Sequence, residues 1–141
     1  MTKDEVFAFL NSRPKGVFAT AGSDGAPHAA MMLFLPNPDL SLYIATCKHF
    51  GKYKNLTENP KISFVITGPG DSPHELVEGD ASVSEIGETE TATLRDAVLE
   101  RHGAEFLIKD EQDLVFFKVT PTGLRHIDGS SGAMVVTKID L

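Results

Sequence analysis

The sequence predicts a mainly β protein: five or six antiparallel strands and two or three short helices, curled into a barrel. Three observations carry this. Period-two alternation recurs, most cleanly in residues 61–67, where Ile62, Phe64 and Ile66 share one face. Clusters of Gly, Pro, Asn and Asp interrupt the apolar runs at short intervals, as antiparallel connections require. A twisted antiparallel sheet of this size loses its unpaired edges by closing on itself.

Thr2 and Glu5 form a T-x-x-E capping box, and Val6, Phe7 and Leu10 follow at helical spacing until Pro14 and Gly16 end the helix. Residues 16–20 read as a strand, 22–25 as a D-G turn and 29–35 as a second strand, together a β-hairpin. Residues 36–39 form a loop before a strand over 41–46. A short helix spans 50–56 and stops before Asn59-Pro60; 61–67 is the next strand and 68–71 a loop. Residues 76–86 form a longer strand in which Val77, Ala81 and Val83 share a face, and Gly79 marks a bulge or a close backbone approach. Thr91 caps a helix carrying Leu94, Ala97, Val98 and Arg101, with Gly103 as its stop. Strands over 114–119 and 123–127 are separated by Thr120-Pro121, and residues 133–139 are another strand or a mobile tail. Arg125 and Asp128 read as a surface or interface pair. The run 29–35 is apolar on both faces, so one face should meet a helix, a ligand or a second subunit.

A length of 141 residues fits one domain, residues 1–141, able to bury a conventional core. The net charge of −7 gives no general attraction to nucleic acid or anionic membranes. Cys47 is the only cysteine, so an intramolecular disulfide and a thiolate zinc cluster are excluded. No signal-peptide core or membrane-length apolar run is present, and a reducing cytoplasm is the expected compartment. The phosphate-loop, dinucleotide, H-E-x-x-H and G-x-S-x-G signatures are missing, and His28, His49, His74, His102 and His126 lack metal-ligand spacing.

The informative stretch is 16–67: G-V-F-A-T, a turn with D-G-x-P-H, an apolar strand, L-Y-I-A-T, G-K-Y-K-N-L, N-P and K-I-S-F-V-I-T. V-E-G-D-A-S-V at 77–83 and F-F-K-V-T-P-T-G-L-R at 116–125 continue the order. This ordered set resembles the pyridoxamine-5′-phosphate-oxidase-like family, six-stranded antiparallel split β-barrels of the FMN-binding type. The resemblance implies a homodimer with FMN at the subunit interface.

It also assigns residues. The second strand, with Ala30, Met31, Met32 and Leu33, would lie along the flavin ring; alternation turns only one methionine toward the ligand. Thr46 and Lys52 would hold the flavin phosphate, with Cys47, Phe50 and Gly51 in the same turn. His74 would reach the site of the other subunit. Cys47 reads as a buried, inert thiol or, beside the lysines, as one with a lowered pKa.

Two departures stand out. Gly51 occupies the place of an arginine that precedes the phosphate-binding lysine in true pyridoxamine-phosphate oxidases, and the C-terminal arginine-histidine substrate motif is missing. The expected function is therefore an FMN-dependent oxidoreductase that is not a true pyridoxamine-phosphate oxidase, with NAD(P)H or another small-molecule redox partner. The alternatives are a non-catalytic flavin or electron carrier, or the same barrel binding F420 or haem.

Overall fold

The computed structural model describes residues 1–68 and 74–141. In chain order the elements are α1 (Lys3–Asn11), β1 (Lys15–Ala21), β2 (Pro27–Pro36), β3 (Leu42–Cys47), α2 (Gly51–Glu58), β4 (Lys61–Thr67), β5 (Glu75–Glu85), α3 (Glu88–His102), β6 (Leu114–Asp128) and β7 (Val135–Ile139). A single 3₁₀ turn, Gly103–Glu105, follows α3. The expected loop at 68–71 falls mostly outside the described residues.

The strand order is β3-β2-β1-β4-β5-β6-β7, and β3 also pairs with β6. That pairing closes six antiparallel strands into the expected barrel. It runs from Leu42 opposite Val119 to Cys47 opposite Leu114. β7 pairs with β6 over residues 124–128, beyond the point where β3 has ended, so the final stretch is a strand rather than a tail. Among the described residues no helix is long and apolar enough to cross a membrane.

The alternating strands send Phe18, Phe34, Ile44, Ile62, Phe64, Ile66, Val77, Phe117 and Leu124 into one core. Burying each such side chain contributes roughly 1.5–3 kcal/mol. α1 plugs this core with Val6, Phe9 and Leu10. Its capping box is formed: Glu5 N–H donates to Thr2 Oγ1 at 3.2 Å and Thr2 N–H donates to Glu5 Oε2 at 3.0 Å.

A second cluster lies outside the barrel. Leu94 and Val98 of α3 pack with Phe106, Leu114 and Phe116 over Leu33, Leu35, Tyr43 and Ala45. The helix therefore covers the outer face of β2, but only in part. Met31, on the same face, stays 64% exposed beside its β1 partner Val17, which is 38% exposed. Arg101 fixes the helix in place by donating to the carbonyls of Phe34 (3.0 Å), Asn11 (3.1 Å), Leu10 (3.4 Å) and Arg13 (2.7 Å).

Three expectations need correction. α3 starts at Glu88, with Gly87 as its N-cap, so Thr91 lies inside the helix and its hydroxyl donates to the Gly87 carbonyl at 3.1 Å. Glu88 and Glu90 in the first turn complement the positive end of the helix and allow the earlier start. Thr120-Pro121 does not split the last long strand. The register shifts at Asp80/Ala81, leaving Thr122 as an extra residue. Pro121 is tolerated there because a bulge needs no ladder N–H. Arg125 pairs with Glu78 (2.8 Å) and Asp80 (3.8 Å), not with Asp128, because residues three apart on a strand point to opposite faces.

Gly79 is a point of close approach. A Cβ there would lie 2.6 Å from Leu124 Cδ2 and 2.7 Å from Phe64 Cζ. Gly79→Ala is expected to lower the unfolding free energy by about 1–3 kcal/mol, read from urea denaturation. An unchanged midpoint would contradict tight packing at this crossing.

Candidate functional site

The site begins where β3 ends. Thr46 shares a strand face with Leu42 and Ile44 and is 1% exposed, yet its Oγ1 has no hydrogen-bond partner. Among the described residues only Arg13 Nε is in the same condition. Leaving such an atom unpaired costs about 1–3 kcal/mol, a penalty that a ligand oxygen at this spot would offset.

The chain then turns, Phe50 N–H donating to the Cys47 carbonyl at 3.0 Å, and enters α2. Phe50 is the N-cap and supplies no side-chain acceptor, and the first turn of α2 holds no acidic residue. The first N–H groups of a helix lack intrahelical partners and form its positive end. Lys52 adds a full charge there. Its Nζ lies 5.8 Å from the Phe50 ring centroid, and among the described residues it makes no ion pair. An uncapped helix end, a lysine and an unpaired hydroxyl together suit an anionic oxygen group.

Beside this end lies a cleft of about 180 Å³. Its floor is Met31, Met32 and Leu33 of β2 with Tyr43, Ala45 and Thr46 of β3; Phe50 and Lys52 border one end. Its roof is Val98 and residues 105–108. The lining is largely apolar and aromatic, with Lys52, Tyr43 and Glu105 as its titratable members.

Of the residues expected at the site, Met31, Met32, Leu33, Thr46, Phe50 and Lys52 border this one cleft. Met31 stands at its open rim, whereas Met32 is 6% exposed and packs mainly in the barrel core. Ala30 packs against the core. Gly51 lines an adjoining cleft with His28, His49, Phe50, Lys52 and Lys54. His74 is exposed at the start of β5, where its carbonyl accepts from Gly129 N–H at 2.7 Å. It does not line the cleft of its own chain. The roof residues were not legible as site residues in the sequence. The only signal was an apolar run, Phe106-Leu107-Ile108, in an otherwise polar stretch.

Cys47 is fully buried. Burial pushes its thiol pKa up, and Glu111 and Asp113 push it further; Lys52 opposes them only in part. Burial and these carboxylates favour the inert-thiol reading over one activated by lysines.

Comparison with known proteins fits this architecture. The sequence profile described as pyridoxamine 5′-phosphate oxidase matches residues 2–128. The chain belongs to the pyridoxamine 5′-phosphate oxidase family. No curated protein sequence matches it significantly. Among solved structures of similar fold is a candidate pyridoxamine 5′-phosphate oxidase from Listeria innocua, 25% identical, with TM-score 0.71, covering 88% of this chain and 96% of its own. HutZ, a haem-storage protein of Vibrio cholerae, is 21% identical with TM-score 0.73, covering 88% and 94%. An F420 reductase is 25% identical with TM-score 0.69, covering 84% and 94%. Family membership alone thus leaves the ligand open.

In this member of the pyridoxamine 5′-phosphate oxidase family, the lone thiol should be inert while the barrel is folded. Thiol reagent at pH 7–8 is expected to label Cys47 slowly in buffer and rapidly in denaturant. Fast native labelling that rises below the ordinary thiol pKa of about 8.5 would contradict its placement.

Proposed function

We propose that residues 1–141 act as one split-barrel domain, a cytoplasmic FMN-binding oxidoreductase that is not a true pyridoxamine-phosphate oxidase. The observation that carries this reading is the buried, partnerless Thr46 hydroxyl beside the uncapped start of α2 and Lys52. That set fits a phosphate monoester. The apolar cleft next to it fits a flat ring laid along β2.

Bound flavin would supply the redox chemistry, and the chain would bind and orient it. Lys52 and Thr46 would hold the phosphate, and Leu33 and Ala45 would face the ring. The sparse set of titratable groups agrees with this division of labour. It also favours, as a second reading, a flavin carrier without its own substrate; steady NAD(P)H oxidation at saturating FMN would decide for the enzyme.

The chain is read as a homodimer. A volume of about 180 Å³ is below the roughly 300–1,000 Å³ of ordinary small-molecule sites, so a whole flavin needs further walls. Met31, Val17 and Leu107 are exposed apolar residues, and a second copy would cover Met31 and Val17. Its His74 is the residue proposed to complete the site.

FMN titration followed by flavin fluorescence tests the assignment. Lys52→Ala is expected to weaken binding about 10- to 100-fold, corresponding to roughly 1.5–3 kcal/mol for a charged hydrogen bond, and Thr46→Val by about tenfold. A Cβ on Gly51 meets nothing within 4 Å, so Gly51→Arg has room to add a phosphate contact and should tighten binding. Unchanged affinity in Lys52→Ala would overturn the site.

A further inference from the structure

We propose that His49, Glu111 and Asp113 form a binding site for one divalent transition-metal ion of the zinc class, tying the segment that follows the cleft's roof to the turn after β3. The three come from two segments brought together by the pairing of Cys47 with Leu114. One ligand atom from each lies within 4.8 Å of the others. Histidine spacing in the sequence gave no hint of this, because the carboxylates lie some sixty positions downstream.

The backbone beneath the cluster is fixed. Lys48 N–H donates to the Asp113 carbonyl at 3.2 Å, and Arg95 donates to the carbonyls of Lys109 (2.8 Å) and Glu111 (3.1 Å). The imidazole is set edge-on to the Phe50 ring, with centroids 4.7 Å apart. His49 Nδ1 stands 3.7 Å from Asp113 Oδ2. That is too long for a hydrogen bond of about 2.7–3.2 Å. It is close to the edge, about 3.4 Å, of a tetrahedron whose ligands sit about 2.1 Å from zinc. The pair is at ion-pair distance, and all three ligand atoms lie within 4.8 Å of one another, so modest side-chain rotations would bring them to that edge around one cation.

Ligand chemistry selects the ion. An imidazole suits zinc, nickel or copper rather than magnesium or calcium, and two carboxylates neutralise a double charge. Three protein ligands leave a fourth position, and both His49 and Asp113 are more than half exposed, so water can fill it. The ion would lock residues 111–113 against the turn that leads into α2. The site is independent of what occupies the cleft.

The test is equilibrium dialysis of the chelator-treated full chain against Zn²⁺. Expected are one Zn²⁺ per chain, no displacement by excess Mg²⁺, and loss of tenfold or more in affinity in both His49→Ala and Asp113→Asn. His28→Ala, in the adjoining cleft, should bind as the wild type does. Because the two ligands are exposed, both variants should fold, which their thermal midpoints without metal will show. No bound zinc, equal competition by Mg²⁺, or wild-type affinity in His49→Ala would each overturn the proposal.

Discussion

The pairing of β3 with β6 is the constraint on which the rest of the structure depends. β3 is six residues long, and all six find partners on β6. Without that ladder the sheet would present two open edges, each a row of unpaired backbone groups. With it, the end of β3 is held against the start of β6. Thr46, the turn into α2 and the segment that roofs the cleft then occupy one corner. The cleft, the unpaired Thr46 hydroxyl, Lys52 and the His49–Glu111–Asp113 cluster lie at that corner.

Closure also explains why several strands are apolar on both faces. A closed barrel fills its interior from one face only, and Phe18, Phe34, Phe64 and Phe117 do this. The outer faces of β2, β3 and β6 remain, and α3 with the following loop covers them. Coverage stops short of Met31. The cleft lies between the sheet and the roof formed by Val98 and residues 105–108, with Met31 at its open rim and Lys52 at its cationic end.

The barrel was largely legible because its signals are local. Alternation at 61–67, the D-G turn and the T-x-x-E box each reflect chemistry within a few residues. Failures came where a distant partner decides. Thr120-Pro121 reads as a break until pairing with β5 places a bulge at Thr122, opposite Asp80 and Ala81. Thr91 reads as a cap because its hydroxyl does bond backbone, but as a residue inside the first turns. For the site, Thr46, Phe50 and Lys52 were visible as a turn entering a helix. Val98 and residues 105–108 were invisible, since only the folding of α3 over β2 and β3 brings them to the cleft. Cys47 carries the same lesson: the sequence places it beside lysines, while the fold buries it, and burial with Glu111 and Asp113 raises its thiol pKa.

The central claim is that this corner holds a flavin. The most direct measurement is the visible absorption spectrum of the purified protein after adding FMN and desalting. The account predicts oxidised-flavin bands that survive desalting in near one-to-one proportion to protein. A colourless protein, or one that retains added haem with a Soret band and no flavin, would contradict it.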